Sequence, residues 1–309
     1  MSRPQDKAYG IRVRYEPPDE MDTIADVVFV HGLTGNADNT WATEKGGLHW
    51  PTQLLCEDIT NIRISTFGYD ADVVSFWNPV SQNRIGNHAE NMLGGLVRLR
   101  ERTDTESLKI IFVAHSLGGL LVESALDISR GSTERHIQRL ELCTIGICFL
   151  GTPHLGSDLA QWGIIGASII KIVKRANKDI VNVLRPGSEM LAGIQKRFYN
   201  VLNHRINEGS RIAITCFYEE LPMPVGGMVV PERFATLPGY SNYGIHANHR
   251  VSITYPAFPT RDANLMKEMT KFGSRADTGY MDIVGEIQRW IKAVRSAKET
   301  PELTIDQEG

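Results

Sequence analysis

Cysteine is scarce in this chain, with four in 309 residues, and none of them falls in a CxxC or a Cys/His ligand spacing. That argues against a disulfide-built domain and against a structural zinc site. Cys56, Cys143, Cys148 and Cys216 lie in or beside apolar runs, so buried free thiols and a reducing, intracellular setting are expected. The longest uncharged apolar stretch, around Ile164 to Ile170, is broken by Gly166 and Ser168 and soon followed by Lys171 and Lys174. It is too short for a transmembrane helix. The opening MSRPQDKAYGIRVRYEPPDE lacks the apolar region of a secretory leader. Excess positive charge is missing too. The net charge is -3 and no basic, aromatic-interleaved stripe occurs, which argues against nucleic acid as a partner. There is no internal repeat.

What is present is an ordinary globular composition, with 42% hydrophobic and 22% charged residues, in a length that suits one large α/β domain. Short runs rich in Val, Ile and Phe occupy Asp26 to Val30, Arg63 to Phe67, Lys109 to Val113, Thr144 to Leu150, Arg211 to Tyr218 and Gly227 to Val230. They lack polar alternation, as strands covered on both faces do. Helical periodicity separates them, over Asn87 to Arg102, over Ser116 to Ile128, and near the end at Ile283, Ile287, Trp290, Ile291 and Val294. The alternation predicts a mostly parallel central sheet with helices on both faces. The expected organisation is an N-terminal extension over 1–22, a single domain over 23–295, and a polar tail or linker over 296–309. A lid or cap is expected within 157–207, where WGIIGASIIKIVK suggests an interfacial segment; a packed crossover helix is the other reading.

The strongest chemical signal is Ala114-His115-Ser116-Leu117-Gly118-Gly119. It is a G-x-S-x-G nucleophile elbow with alanine in the first position. A serine on a tight strand-to-helix turn needs small residues two before and two after it, and Ala114 and Gly118 qualify. The turn lifts the hydroxyl above the sheet and aims a helix N-terminus, with the Leu117 N–H, at a developing oxyanion. The second signal is His31-Gly32-Leu33-Thr34-Gly35 after the first apolar run. This loop is placed to donate the other oxyanion N–H, from Leu33, with His31 as a buttress. A serine nucleophile needs a base and an orienting carboxylate, in the chain order Ser, acid, His. Glu219 and Glu220 follow a strand run downstream of Ser116, and His246 and His249 follow later, leaving two candidates for each role.

These pieces, HGLTGNADNTW, FGYDADV, AHSLGGLLVESAL, FLGTPHLGSDLA, FYEELP, VVPERFATLPGY and HANH, resemble in order the serine active site-containing proteins and the fungal α/β-hydrolase domains that often head NOD-like receptor proteins. A more distant similarity is to GPI inositol-deacylase-like lipases. The resemblance implies an α/β-hydrolase fold and hydrolysis of ester bonds, in lipids or other acylated compounds, with no metal or organic cofactor and with peripheral contact to a membrane at most. By the resemblance Ser116 is the nucleophile, Glu219 rather than Glu220 the acid, and His249 rather than His246 the base. Thr152, Pro153 and His154 shape the pocket beside the elbow. An intracellular site is implied, cytoplasmic or peripheral on mitochondrial or endoplasmic reticulum membranes. The other functional reading is an effector or interaction domain of a signalling receptor.

One stretch departs from the family pattern. A Met-x-Lys-Phe-like motif is expected soon after the base, yet Met269-Thr270-Lys271-Phe272 comes much later. Deleting Val251 to Lys267 would give HANHREMTKFGS, a good fit, and the removed piece can be encoded with the boundary and branch-point marks of a fungal intron. It reads as a translated, retained intron; a lineage-specific loop is the alternative. Pro256 and Pro259 oppose a regular helix there, while Asp262 to Met269 favours a helical turn. Closing a loop of this length adds little entropy cost. A chain lacking 251–267 is therefore expected to fold and to exceed the full chain in esterase turnover. Equal turnover, together with a well-packed, ordered segment, contradicts the intron reading.

Overall fold

The computed structural model describes residues 9–33, 35–43, 47–71, 84–154, 187–221, 230–247 and 268–299. Its centre is a sheet of seven strands: β1 (Gly10–Tyr15), β2 (Ala25–Val30), β3 (Ile62–Gly68), β4 (Lys109–His115), β5 (Thr144–Leu150), β6 (Ala213–Glu219) and β7 (Ser241–Ile245). The order across the sheet is β1-β3-β2-β4-β5-β6-β7. Only β1 runs antiparallel to its neighbour. The helices are α1 (Arg84–Arg102), α2 (Leu117–Gly131), α3 (Arg135–Cys143), α4 (Gly187–Asn207), the short α5 (Glu232–Ala235) and α6 (Thr278–Glu299).

The strands form where they do because both faces are covered. Every residue of β2 and β3 is buried. Side chains alternate between two cores. Val28, Val30, Phe112, Ala114 and Phe149 pack with α1, α2 and α4, whereas Val27, Phe29, Val113 and Cys148 pack with Trp41, Trp50 and α6. On the second face Trp50 stands edge-on to Phe29, Trp41, Phe272 and Tyr280, and its indole N–H donates to Thr270 O at 2.9 Å. All four cysteines are free and buried, as expected.

Several boundaries differ from the sequence reading. Gly10–Tyr15 is an edge strand of the sheet, so the expected extension contributes to the fold from Gly10 onward. Helix α6 continues to Glu299, into the expected tail. Within the expected lid, Gly187–Asn207 is a helix packed on α2, as a crossover helix is; the Gly-Ile-rich segment lies outside the described residues. Of the expected strand at 227–230 only Val230 is described, in a bend, and the strand after β6 is instead Ser241–Ile245. The whole of 251–267 lies outside the described residues, but Ala247 before it and Met269 after it belong to the same core cluster.

The amino edge of the sheet is tied by charge. Asp26 of β2 accepts from Arg63 Nε at 2.6 Å and from Arg100 at 2.5 Å, and all three side chains are buried. Arg63 also donates to the hydroxyls of Thr103 and Thr105, and Arg100 to the carbonyls of Glu106 and Leu108. One carboxylate thus holds two strands, the end of α1 and the turn into β4, with its guanidinium partners otherwise satisfied. Removing it leaves two buried cations uncompensated. Asp26→Ala is expected to lower the free energy of unfolding by about 3–5 kcal/mol in urea titrations; a loss under about 1 kcal/mol would show that the cluster is dispensable.

Candidate active site

Strand order places the site. From β2 the chain moves outward to β3 on one side, then returns across the sheet to β4 and continues to β5 on the other. The carboxyl ends of β2 and β4 therefore flank a topological switch point, the usual crevice for ligands in such sheets. His31-Gly32-Leu33 leaves the first of these ends and Ser116 follows the second.

Ser116 has φ +53° and ψ -130°, a conformation rare for a residue with a side chain. Its neighbours enforce the turn. Ser116 N–H donates to Leu150 O at 2.8 Å, across the β4–β5 pair, and Gly119 N–H donates back to Ser116 O at 3.0 Å. A Cβ on Gly118 would sit 2.3 Å from His31 O and 2.7 Å from Val30 O, so only glycine lets α2 approach the end of β2 this closely. A Cβ on Gly32 would come within 2.7 Å of Ser116 Cβ, which sets the loop directly against the serine. Leu117, buried, is the first residue of α2, where backbone N–H groups have no partner within the helix. Leu33 is also buried, at the opposite side of the crevice. Ser116 itself is buried, and the arrangement sets its hydroxyl beside backbone amides of the kind that stabilise negative charge.

Both ring nitrogens of His31 are engaged. The residue is fully buried, its ring lies flat on Tyr69 with centroids 4.4 Å apart, and its Nδ1 is 2.9 Å from Gly32 O. Tyr69 N–H donates to Nε2 at 3.4 Å, and the Tyr69 hydroxyl donates to His31 O at 2.8 Å. These contacts require a proton on Nδ1 and none on Nε2. Burial, with His88 adding a smaller repulsion against the Gly32 bond, pushes its pKa down to about 4. The sequence reading assigned Tyr69 no role. The aromatic immediately after β3, in Phe67-Gly68-Tyr69, was the available signal.

The two candidate acids separate cleanly. Glu219 ends β6, is fully buried, and accepts the Val230 N–H through Oε1 at 2.8 Å. Glu220 is exposed and pairs with the equally exposed His246 at 3.4 Å. The ladder pairs His115 with Leu150 and Leu150 with Phe217, so Glu219 lies at the same edge as Ser116, two strands away, a lateral offset of roughly 10 Å. His249 lies outside the described residues, but Ala247, two positions earlier, is buried and accepts from Leu221 N–H at 3.2 Å. His115 is buried under the elbow, and His154 is buried beside α2, near Glu123. Among the described residues no cluster of His, Cys, Asp and Glu could hold a metal ion, and no helix is long and apolar enough to cross a membrane.

Mostly parallel strands in this order, helices on both faces and a strained serine turn at the switch point define an α/β-hydrolase. The chain belongs to the family described as "Putative serine esterase (DUF676)", which matches residues 24–207. It is 26% identical over 293 residues to Protein SERAC1 of Homo sapiens, covering 87% of this chain and 41% of that protein. To Protein SERAC1 of Mus musculus it is 28% identical over 273 residues, covering 80% and 38%. It thus spans about two fifths of the length of these curated relatives. Among solved structures it is similar to a lipase-esterase related protein from Clostridium acetobutylicum, with TM-score 0.43, 7% identity and coverage of 91% and 99%. It is also similar to MenH from S. aureus, with TM-score 0.41, 10% identity and coverage of 93% and 99%. The fold assignment rests on strand order and on the turn at Ser116, not on these superpositions.

The buried, neutral His31 has a consequence for stability. Its folded-state pKa lies below the ordinary 6.5, so between those values the unfolded chain binds the extra proton. The stability it confers is fully present above about pH 6.5 and lost as the pH falls through about 4, at most about 3 kcal/mol. His49 is displaced in the same direction, by burial. The test is therefore a comparison: His31→Gln is expected to show a shallower loss of urea stability between pH 6.5 and 4 than the wild type. Parallel curves would contradict a neutral buried His31.

Proposed function

We propose that this chain hydrolyses carboxylic ester bonds through Ser116, His249 and Glu219, on an acylated substrate of the lipid class. The observation that carries the reading is the backbone of Ser116, held at positive φ between β4 and α2 with its carbonyl and amide both bonded. Proteins rarely keep such strain without use for it.

In this mechanism Ser116 Oγ attacks the acyl carbon while His249 takes its proton. The amides of Leu33 and Leu117 bind the oxyanion that forms. His249 then gives the proton to the departing alcohol, leaving the acyl group on Ser116. Water, deprotonated by His249, attacks that ester, and the acid product leaves as Ser116 regains its proton. Glu219 orients the imidazole and stabilises its charged form. The choice of Glu219 over Glu220 is supported by burial and by the Val230 amide that fixes its carboxylate. The choice of His249 is supported by register: Ile245, the ladder partner of Glu219, stands four residues before it. The neutral His31 and the exposed His246 are poorer bases, the first because its free nitrogen is taken by Tyr69, the second because it faces Glu220 in solvent. An ester in a lipid would bring the protein to a membrane surface peripherally.

A fluorophosphonate probe tests the nucleophile and an ester panel tests the substrate. Wild-type protein is expected to be labelled and Ser116→Ala not, with turnover lowered on the order of 10⁴-fold or more. Across p-nitrophenyl esters and phospholipid vesicles, turnover is expected to rise with acyl length. Equal labelling of both proteins removes Ser116 from its role. Activity confined to short soluble esters removes the lipid class.

A further inference from the structure

Beneath the elbow lies a second set of buried polar groups that the hydrolytic mechanism does not use. Glu123 sits on α2, seven residues beyond Ser116, and is fully buried in an otherwise apolar stretch of the helix. Its Oε1 is 3.0 Å from Nδ1 of His154, whose side chain is equally buried. Gln195 of α4 lies 3.1 Å from the same nitrogen through its side-chain amide, so the imidazole is gripped between a carboxylate and an amide. His154 ends the Gly151-Thr152-Pro153-His154 turn that follows β5. That turn is tied at every step. Gly151 N–H donates to Phe217 O at 2.7 Å, and the Gln195 amide of α4 donates to Pro153 O at 3.3 Å. His154 N–H donates to Phe234 O at 2.5 Å, and the His154 ring stands edge-on to Phe149. Between these ties, Thr152 donates its hydroxyl to Ser116 O at 3.0 Å. Its side chain also fills the space against Gly119, where a Cβ would lie 2.2 Å from Thr152 Oγ1.

The contacts close a ring: Ser116, two turns of α2 to Glu123, across to His154, back two residues to Thr152, and from its hydroxyl to the Ser116 carbonyl. Resting on the serine-hydrolase reading above, we propose that Glu123 and His154 are positioning residues that hold Ser116 in its strained turn by way of Thr152. Neither touches substrate. They fix the angle between α2 and the turn after β5, and so where the serine oxygen points. An error of about 1 Å at such a group costs on the order of a hundredfold in rate.

The electrostatics agree. Burial disfavours a charged imidazole, but Cys216 at 3.9 Å from Nε2 and Glu123 together outweigh it, and the pKa of His154 rises to about 9. Burial pushes the Glu123 carboxyl up, against the pull of His154. Among the described residues, Cys216 on β6 and Tyr199 on α4 are the titratable side chains facing the pair, and the Tyr199 hydroxyl is pushed up to about 12, by burial and then by Glu123.

The test combines labelling kinetics with nuclear magnetic resonance on the full chain, with folding of each variant checked by urea unfolding. Thr152→Val keeps the shape and removes the hydroxyl, whereas Thr152→Ser keeps the hydroxyl. Glu123→Gln keeps the size and removes the charge. The fluorophosphonate labelling rate is expected to fall about tenfold to a hundredfold in Thr152→Val and Glu123→Gln, and Thr152→Ser is expected to recover most of the rate lost in Thr152→Val. In wild type the His154 ring is expected to titrate near pH 9, and in Glu123→Gln at lower pH. Should Glu123→Gln fail to fold, the Thr152 variants carry the test. Folded variants that label as fast as wild type, or a serine variant as slow as the valine one, overturn this proposal alone. So does a His154 that titrates near 6.5 in wild type. A wild type that does not label overturns the hydrolase reading and this proposal together.

Discussion

The active-site crevice is built around the approach of the α2 N-terminus to the end of β2, where a single added carbon at Gly118 would collide with two carbonyl oxygens. With that contact, Ser116 is pressed into a conformation that side chains avoid, α2 is aimed at the crevice, and the loop carrying Leu33 is set against the serine. The turn is under-determined by its own backbone, since strain of this kind relaxes unless neighbours prevent it. The preventing neighbours come from three directions: the carbonyl of Leu150 in β5, the hydroxyl of Thr152 beyond it, and the stacked pair of His31 and Tyr69 behind the loop. Each is buried, so none gives way cheaply to water.

The two ends of the sheet do different work. The amino end is locked by charge, with Asp26 shared between Arg63 and Arg100, and it carries none of the groups assigned to chemistry. The carboxyl end gathers the serine, the loop amides and the buried Glu219. Between them lie two apolar layers in which successive residues of one strand face opposite cores.

How much of this was legible depended on range. The elbow was legible because its logic is local: a strand, a serine flanked by small residues and a helix follow one another directly from Lys109 to Gly131. The central strands were legible because burial on both faces makes them uniformly apolar. Strand β7 was not, because SNYGI is a polar edge strand whose first three residues are exposed, and nothing in its composition distinguishes it from a loop. Strand β1 carries the period-two alternation of a half-covered edge, in Ile11, Val13 and Tyr15, but sits in a segment that otherwise reads as an extension. Glu219 and Glu220 are adjacent and chemically alike, and only burial, a property of the whole fold, separates them. The Glu123–His154 pair joins residues 31 positions apart through packing. The resemblance had already placed Thr152, Pro153 and His154 beside the elbow, and a carboxylate in the apolar run of α2 was the hint of a partner for them.

That polar β7 has a further consequence. Among the described residues it is the last strand and pairs only with β6, and its opening residues are exposed. Edge elements with few apolar contacts open at free energies well below that of global unfolding. The far end of β7 differs: Ile245 and, just beyond it, Ala247 lie in the core cluster with Met269 and Phe272. The exposed start of β7 is therefore where local opening would begin. Heat or denaturant would fray that corner of the sheet while its centre still stood.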